Sequence, residues 1–369
     1  MRKLLANTTA ALAAAIALTG SPFVLTPCSA NAATPMVTAS PFHSLVVKSD
    51  GTVWAWGQNI FGELGDGTYI NRTTPVQVKG MGGTGNLTSV ISIKAGHGFS
   101  LALKSDGTIW AWGLNDRGQL GDGTTTDRTT PVQVKGSGGV GNLIGIKSIA
   151  TGSYHSLALK NDGSVWAWGE NLGTLGDGTY IERTTPVQVK GSGGVGNLTG
   201  IIAIAGGEWD SLALKSDGTV WAWGANTGDG TEINRTTPVQ VKGVGGVGNL
   251  TGVVAITVGE LHSFALKSDG TVWAWGNNNC GALGDGTYLD RTTPVQVKGA
   301  GGVGYLTGIK NIVAGNNHSL ALKNDGTVWA WGENAHYNLG DGTDMDRTTP
   351  VQVKGANGVG YLTRNSGCW

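Results

Sequence analysis

Charged residues are scarce in this chain of 369 residues, and the charges cancel. Lys and Arg number 25, Asp and Glu also number 25, and the charged share is only 14%. No stretch gathers the Lys and Arg residues that a nucleic-acid footprint requires. We therefore expect no nucleic-acid partner.

Long apolar runs are also missing beyond residue 32, so no second segment approaches the length of a membrane span. The first 32 residues differ from the rest. Arg2 and Lys3 precede an uncharged apolar stretch over residues 4–18, and Ala30-Asn31-Ala32 fits an A-x-A cleavage site. We predict a Sec-type signal peptide over residues 1–32. The mature protein should then be secreted or extracytoplasmic, in the periplasm or at the cell surface, without membrane insertion.

A membrane anchor and a lipoprotein are the two alternatives for this N-terminal segment. Asn7, Thr8 and Thr9 interrupt the apolar stretch, which disfavours an anchor. Pro27 stands before Cys28, where a lipoprotein signal has a small residue, so that alternative is disfavoured too.

Cysteine is rare, with three residues in total. There is no CxxC and no Cys/His cluster with zinc spacing. Export permits a disulfide between Cys280 and Cys368, but two cysteines do not require one, so their pairing is left open. Paired carboxylates, a nucleophile elbow and a phosphate loop are missing as well. We therefore expect no enzyme, no cofactor and no metal.

Glycine and tryptophan are abundant instead, at 64 and 14 residues. The string Trp-Ala-Trp-Gly occurs six times, at spacings of 56, 56, 55, 52 and 56 residues. A string repeated at a near-constant period is typical of one structural unit copied around or along an axis. We interpret its tryptophans as residues that pack neighbouring units together. They are Trp54, Trp56, Trp110, Trp112, Trp166, Trp168, Trp221, Trp223, Trp273, Trp275, Trp329 and Trp331.

Each repeat contains four short apolar runs in which β-branched and aromatic residues are frequent, and such runs predict strands. Asp-Gly separates the second run from the third, as at Asp50 and Asp106. This dipeptide is a strong hairpin signal, because the turn needs a positive φ that glycine adopts without a steric penalty. A proline such as Pro75 opens the fourth run. Since proline lacks a ladder donor, the fourth strand should be outermost in its sheet.

Six units of four antiparallel strands predict an all-β fold, a β-propeller of four-stranded blades. We place the propeller at residues 33–363 and a divergent C-terminal tail at residues 364–369. A seventh unit is not begun. Two arrangements therefore stay open, a closed six-bladed ring and a shortened seven-bladed type that closes imperfectly. A monomer is expected.

The repeat consensus reads A-G-x-x-H-S-L-A-L-K-x-D-G-x-V-W-A-W-G-x-N-x-x-G-x-L-G-D-G-T, most fully at residues 95–124 and 150–179. It closely resembles the repeat of the regulator-of-chromosome-condensation family, over roughly residues 36–363. The resemblance implies a β-propeller, usually seven-bladed in that family. Members include a nuclear nucleotide-exchange factor, a plant ultraviolet photoreceptor and a secreted bacterial inhibitor of β-lactamases. The secreted bacterial member agrees best with the export signal, but no inhibitory residue can be carried over.

Histidines and aspartates recur at fixed positions of the repeat. Equivalent positions are spread around a ring, so the histidines should form hydrogen bonds between blades or in turns rather than one metal or acid–base site. Aspartates such as Asp66 precede an arginine, here Arg72, by six residues. One carboxylate per loop falls far short of the ligands of calcium, so these pairs should tie the loop. The histidines are His43, His155, His262 and His318, and Phe99 and Asp210 hold this position in two repeats.

Three segments differ between the repeats: before the histidine position, after Trp-Gly, and before Arg-Thr-Thr. In an up-and-down blade all three emerge on one face. Aromatic residues amid polar loops are typical of protein interfaces, although unconstrained drift would also produce such differences. The predicted partner site comprises Phe42, Phe61, Tyr69, Tyr154, Tyr180, Trp209, Tyr288 and Tyr337.

These patterns predict a secreted, non-catalytic binding module that engages a protein partner through this variable face. Three alternatives remain. They are an enzyme inhibitor resembling the secreted β-lactamase-inhibiting propellers, a carbohydrate-binding or hydrolytic propeller, and a structural component of the cell surface.

Overall fold

The computed structural model describes residues 33–363, which form 24 strands in six four-stranded sheets. The predicted signal peptide and tail lie outside the described residues, as does Cys368, so those predictions and the open disulfide question stay as stated. Within residues 33–363, no helix is long and apolar enough to cross a membrane.

Six blades follow one another along the chain, each of four strands. The first three comprise β1 (Met36–Ala39), β2 (His43–Val47), β3 (Val53–Gly57), β4 (Arg72–Gln77); β5 (Val90–Ala95), β6 (Phe99–Lys104), β7 (Ile109–Gly113), β8 (Arg128–Gln133); β9 (Ile146–Thr151), β10 (His155–Lys160), β11 (Val165–Gly169), β12 (Arg183–Gln188). The last three comprise β13 (Ile201–Gly206), β14 (Asp210–Lys215), β15 (Val220–Gly224), β16 (Arg235–Gln240); β17 (Val253–Val258), β18 (His262–Lys267), β19 (Val272–Gly276), β20 (Arg291–Gln296); β21 (Ile309–Ala314), β22 (His318–Lys323), β23 (Val328–Gly332), β24 (Arg347–Gln352). One turn of 3-10 helix follows each fourth strand, at Met81–Gly83, Ser137–Gly139, Ser192–Gly194, Val244–Gly246, Ala300–Gly302 and Ala356–Gly358.

Within each blade the strands are antiparallel and lie in chain order, with the first and fourth at the edges. The Asp-Gly hairpins are confirmed. Gly51 has φ +75°, and the Asp50 carboxylate accepts hydrogen bonds from the Thr52 amide at 2.9 Å and its hydroxyl at 2.6 Å. The outermost position of the fourth strand is confirmed as well.

The prediction that proline opens the fourth strand is wrong by three residues. In the first blade the strand begins at Arg72, which pairs with Gly57, and Pro75 lies inside it. The register shifts between Ala55 and Gly57. Proline is tolerated here because it lies on an edge strand opposite this irregularity, where no ladder donor is required.

Hydrophobic cores lie between blades rather than within one sheet. Five clusters of buried residues each join two consecutive blades. The second tryptophan of a repeat is the largest buried side chain of each cluster, because its ring inserts against the preceding blade. These fully buried residues are Trp112, Trp168, Trp223, Trp275 and Trp331.

The first tryptophan of each repeat is only half buried, so the expectation that all twelve pack neighbouring units together is too broad. The Trp54 indole donates to the Thr52 hydroxyl at 3.3 Å, and Lys48 Nζ lies 4.6 Å from the ring centroid. The lysine covers the outer face of the ring in a cation–π contact. This position therefore stabilises the hairpin end of the blade.

The ring of blades has a discontinuity. Among residues 33–363, no hydrogen bond and no core cluster joins the sixth blade to the first. Trp56 of the first blade is accordingly only half buried. The sequence left two arrangements open. The structure shows six blades, and the sixth is not joined to the first in the way that the other neighbouring blades are joined.

Candidate functional site

The loops that join the first strand to the second, and the third to the fourth, emerge at one end of every blade. We call this end the upper face; in the first blade it comprises residues 40–42 and 58–71. The opposite end carries the Asp-Gly turns and the inter-blade linkers, and we call it the lower face. All eight aromatic residues of the predicted partner site lie in upper-face loops.

Most of these aromatic side chains are open to solvent. Tyr69, Tyr180 and Tyr288 occupy equivalent positions near the outer rim and are each more than half exposed. Tyr337 is 70% exposed and Trp209 is 41% exposed. An aromatic ring left this open on a loop has no role in the core, and it is available for contact.

Two of the predicted residues are brought together around a third that the sequence did not single out. The His97 ring lies between Phe42, at a centroid distance of 4.8 Å, and Tyr154, at 5.0 Å. This stack connects the first three blades beside the central cavity. The His97 Nδ1 atom is buried and makes no hydrogen bond within the described residues. Contacts of this kind do not join the remaining aromatic residues, which are distributed around the face.

Exposed aliphatic residues accompany the outer tyrosines. They follow directly after the tyrosine, or after its equivalent in other blades, and each is about 60% exposed. They lie in the variable segment before Arg-Thr-Thr, but the aromatic pattern alone does not mark them. These residues are Ile70, Ile181, Ile233, Leu289 and Met345.

A network of hydrogen bonds holds the long loops in shape. The buried Asn59 amide donates to the carbonyls of Thr68 and Ile70, and its oxygen accepts from the Leu64 amide. Asp66 accepts from Arg72 at 2.6 Å. Burial opposes ionisation, but hydrogen bonds from Thr68 and then Arg72 hold the pKa of Asp66 below its usual value. The same carboxylate–arginine pair recurs in all six blades, which supports the loop-tie interpretation of these aspartates.

Carboxylates concentrate on one sector of the upper face, across the second to fifth blades. Burial raises the pKa of Glu208, and the charges of Glu260 and Glu170 raise it further. Burial also raises the pKa of Tyr154, with Glu170 and Asp116 adding to the effect. These shifts show that the carboxylates lie near one another and near Tyr154. The group comprises Asp116, Glu170, Glu182, Glu208 and Glu260, and we call it the acidic sector.

One arginine lies within the acidic sector. Arg117 approaches Glu182 at 2.9 Å and Asp116 at 3.7 Å. It compensates only part of the negative charge, so the sector attracts cations. Sequence alone did not reveal the sector, because its members come from four different repeats.

A cavity of about 710 Å³ opens at the centre of the upper face. The ends of the innermost strands line it, and its polar side chains include His97, Glu208, Glu260 and His318. Among the described residues no group of three or more potential ligands is arranged to hold a metal ion.

The predicted inter-blade role of the histidines is seen in three of the four. Nε2 of His43 lies 2.8 Å from Ser100 Oγ, His155 makes the same contact with Ser211, and His262 makes it with Ser319 at 3.2 Å. Burial lowers the pKa of these three imidazoles to about 4, so they are neutral at pH 7. His318 makes no such contact within residues 33–363.

Comparison with known proteins agrees with this geometry. A model of the RCC1-like domain matches residues 84–367, and a model of the regulator of chromosome condensation (RCC1) repeat matches residues 50–103. The chain belongs to the RCC1 repeat family. The resemblance that the repeats suggested is therefore confirmed.

Relatives in the RCC1 family differ widely in what surrounds this domain. The ultraviolet-B receptor UVR8 of Arabidopsis thaliana is 29% identical over 325 residues, which cover 86% of this chain and 69% of the receptor. The human E3 ubiquitin-protein ligase HERC2 is 31% identical over 288 residues, but the match covers only 6% of that protein.

Solved structures establish the likeness of fold. Prp20p of Saccharomyces cerevisiae has a TM-score of 0.69 at 24% identity, covering 87% of this chain and 77% of Prp20p. Human WBSCR16 has a TM-score of 0.72 at 24% identity, covering 88% and 82%.

Proposed function

We propose that this RCC1-family propeller is an exported, non-catalytic binding module that captures a protein partner on its upper face. One observation carries the proposal: exposed aromatic and aliphatic side chains lie together on that face beside the acidic sector. Such a combination of apolar anchors and uncompensated charge is typical of protein-binding surfaces. Prp20p, which shares the fold, has binding properties toward Gsp1p and histones, and this supports a binding role.

The proposed partner presents Lys or Arg next to apolar side chains. The basic groups would face the acidic sector, whereas the apolar groups would cover the outer tyrosines and their aliphatic neighbours. Long-range attraction between opposite charges raises the association rate and weakens with salt. Binding should therefore slow markedly between low and high ionic strength.

The test is affinity capture with cross-linking, using the mature chain as bait in the surroundings of the producing cells. Replacement of Trp209, Tyr180 and Tyr288 by Ala should abolish capture, because hot-spot anchors of this kind typically contribute 2 kcal/mol or more each. A matched triple variant on the lower face, Val195→Ala, Val247→Ala and Val303→Ala, removes apolar groups that are even more exposed and should leave capture unchanged. Equal capture by both variants would contradict the upper-face site.

Export is a separate part of the proposal. Cell fractionation with an antibody against the propeller should find the chain outside the cytoplasm, starting after Ala32. Full-length chain recovered from the cytoplasm would refute it.

A further inference from the structure

Every complete inter-blade contact contains the same seat for a tryptophan. Between the first two blades, the Trp112 indole donates to the Glu63 carbonyl at 2.8 Å. Its ring also lies against Gly65 so closely that a Cβ there would be 2.8 Å from Nε1 and 2.9 Å from Val78 Cγ1. Glycine is therefore required, because the indole occupies the space of a side chain.

Five such seats are filled. Trp112, Trp168, Trp223, Trp275 and Trp331 each insert against the glycine and valine of the preceding blade. The seats of these rings are formed by Gly65 with Val78, Gly121 with Val134, Gly176 with Val189, Gly228 with Val241, and Gly284 with Val297.

The sixth blade carries the same seat without a tryptophan. A Cβ on Gly340 would meet Val353 Cγ1 at 3.1 Å, and no indole of the described residues lies beside it. Val353 is only partly buried, whereas its five equivalents are fully buried. The Asn338 carbonyl corresponds to the acceptor at Glu63 and receives no hydrogen bond from the described residues. We call Gly340, Val353 and the Asn338 carbonyl the indole slot.

A blade packed in the ordinary way cannot reach this slot. At Gly62, Gly118 and Gly281, an added Cβ would lie within 2.8 Å of the next blade's threonine Cα. The sixth blade has Tyr337 at this position, with φ +61°. A tyrosine Cβ there would collide with the backbone of an incoming fourth strand.

The first blade opposes ordinary closure too. One position of the second strand faces the preceding blade. It is alanine in the other five blades and Val46 in the first. Ala102 and Ala158 at this position are fully buried against the preceding blade, so larger side chains there resist the same approach. Trp56 of the same face is consequently left without a seat.

The indole slot adjoins the central cavity at Asn338. Asn338 lines that cavity together with Glu333 and His318 on one side, and with Ser40 and Pro41 on the other. A ligand in the cavity can therefore contact the slot at Asn338. Glu333 supplies a negative charge along this route.

We propose that the indole slot binds an exposed tryptophan of a protein partner, carried on an extended segment with a basic residue beside it. The slot supplies an apolar seat of indole shape and one carbonyl acceptor for the indole N–H. The route through the cavity supplies the carboxylate of Glu333 for the basic neighbour. The slot is distinct from the outer tyrosines, so the two sites are tested by different variants.

The test uses the peptide Lys-Trp-Lys with 5-fluorotryptophan, observed by ¹⁹F NMR in titrations with the full chain. The expected result is saturable line broadening. An analogue that carries 4-fluorophenylalanine in place of the 5-fluorotryptophan should bind about tenfold more weakly, since it lacks the N–H donor. Val353→Phe fills the slot and should abolish the broadening. Val359→Phe, which places the same ring on an exposed lower-face linker, should leave it unchanged.

Two further variants distinguish the occupants. One chain ends at Thr363 and therefore lacks Trp369, and the other carries Trp56→Ala. Equal peptide binding by these variants and the full chain supports the proposal. Binding only by one of the variants would mean that a tryptophan of the chain itself fills the slot, and this outcome overturns the proposal. No binding by any chain overturns it as well.

Discussion

Asp210 occupies a position that histidine holds in four other repeats, and its burial creates a pH dependence. It accepts a hydrogen bond from Ser263 Oγ at 3.1 Å, in the place of a histidine–serine contact. Burial raises its pKa to about 7. The folded state therefore binds more protons than the unfolded state between about pH 4 and pH 7, so the free energy of unfolding falls as pH rises through this window.

Asp210→Asn should remove that dependence, because the amide oxygen can still accept from Ser263 without bearing a charge. We expect the variant to exceed the parent in the free energy of unfolding at pH 8, by up to a few kcal/mol, and to match it near pH 4. Urea unfolding at both pH values measures the difference, with Asp344→Asn at an exposed loop position as the control. A variant less stable than the parent at pH 8 would contradict the buried carboxyl described here.

At the scale of single elements, the loop between the third and fourth strands of the fourth blade differs in length from its equivalents, and this difference changes a hydrogen bond between blades. It is four residues shorter than that of the second blade, from Trp223 to Asp229 against Trp112 to Asp122. The deletion removes the carbonyl that the next tryptophan would use. Trp275 Nε1 is therefore buried without a partner within the described residues, whereas Trp331 donates to the Ala282 carbonyl at 2.8 Å.

Trp275→Phe and Trp331→Phe form a matched pair that tests this loop. Both substitutions lose the same ring volume, but only Trp331→Phe breaks a hydrogen bond, whereas Trp275→Phe removes an unsatisfied donor. We expect Trp331→Phe to cost more stability, by about 1 kcal/mol or more. Thermal or urea unfolding of the two variants checks the order, and equal losses would count against an orphaned indole N–H in the fourth blade.

The sequence predicted strands, hairpins and the common face of the variable loops, because each depends on local pattern. Asp-Gly at Asp50 specifies its own turn, and antiparallel order then places Tyr69 and Phe42 at the same end. The sequence could not predict which atoms contact each other across neighbouring blades. The acceptor for Trp112 is the carbonyl of Glu63, a backbone atom some 49 residues away, and no side-chain pattern marks it.

The candidate site was predicted in the same partial way. The location of the aromatic residues in upper-face loops could be predicted, since each lies in a segment that differs between repeats. The acidic sector was not, because Glu170, Glu208 and Glu260 become neighbours only when the blades are arranged around an axis. The sequence has Tyr337 at the repeat position that Gly62 and Gly118 hold in other blades. Only the packing of the next blade shows why glycine is used at that position.

At the scale of the whole molecule, six similar blades form one body with two unlike faces. The lower face carries repeated Asp-Gly turns and linkers that differ little between blades. The upper face carries the exposed aromatic and aliphatic residues, the acidic sector and the cavity. A partner that binds by these features should slow amide hydrogen exchange on the upper face and leave exchange on the lower face unchanged.

Amide hydrogen exchange of the propeller, measured with and without its captured partner, tests most directly whether the partner binds the upper face. The account predicts slowed amide exchange in the upper-face loops, including residues 58–71, 170–182 and 207–210, with lower-face linkers such as residues 192–197 unchanged. Protection confined to the lower-face linkers and Asp-Gly turns would contradict the account.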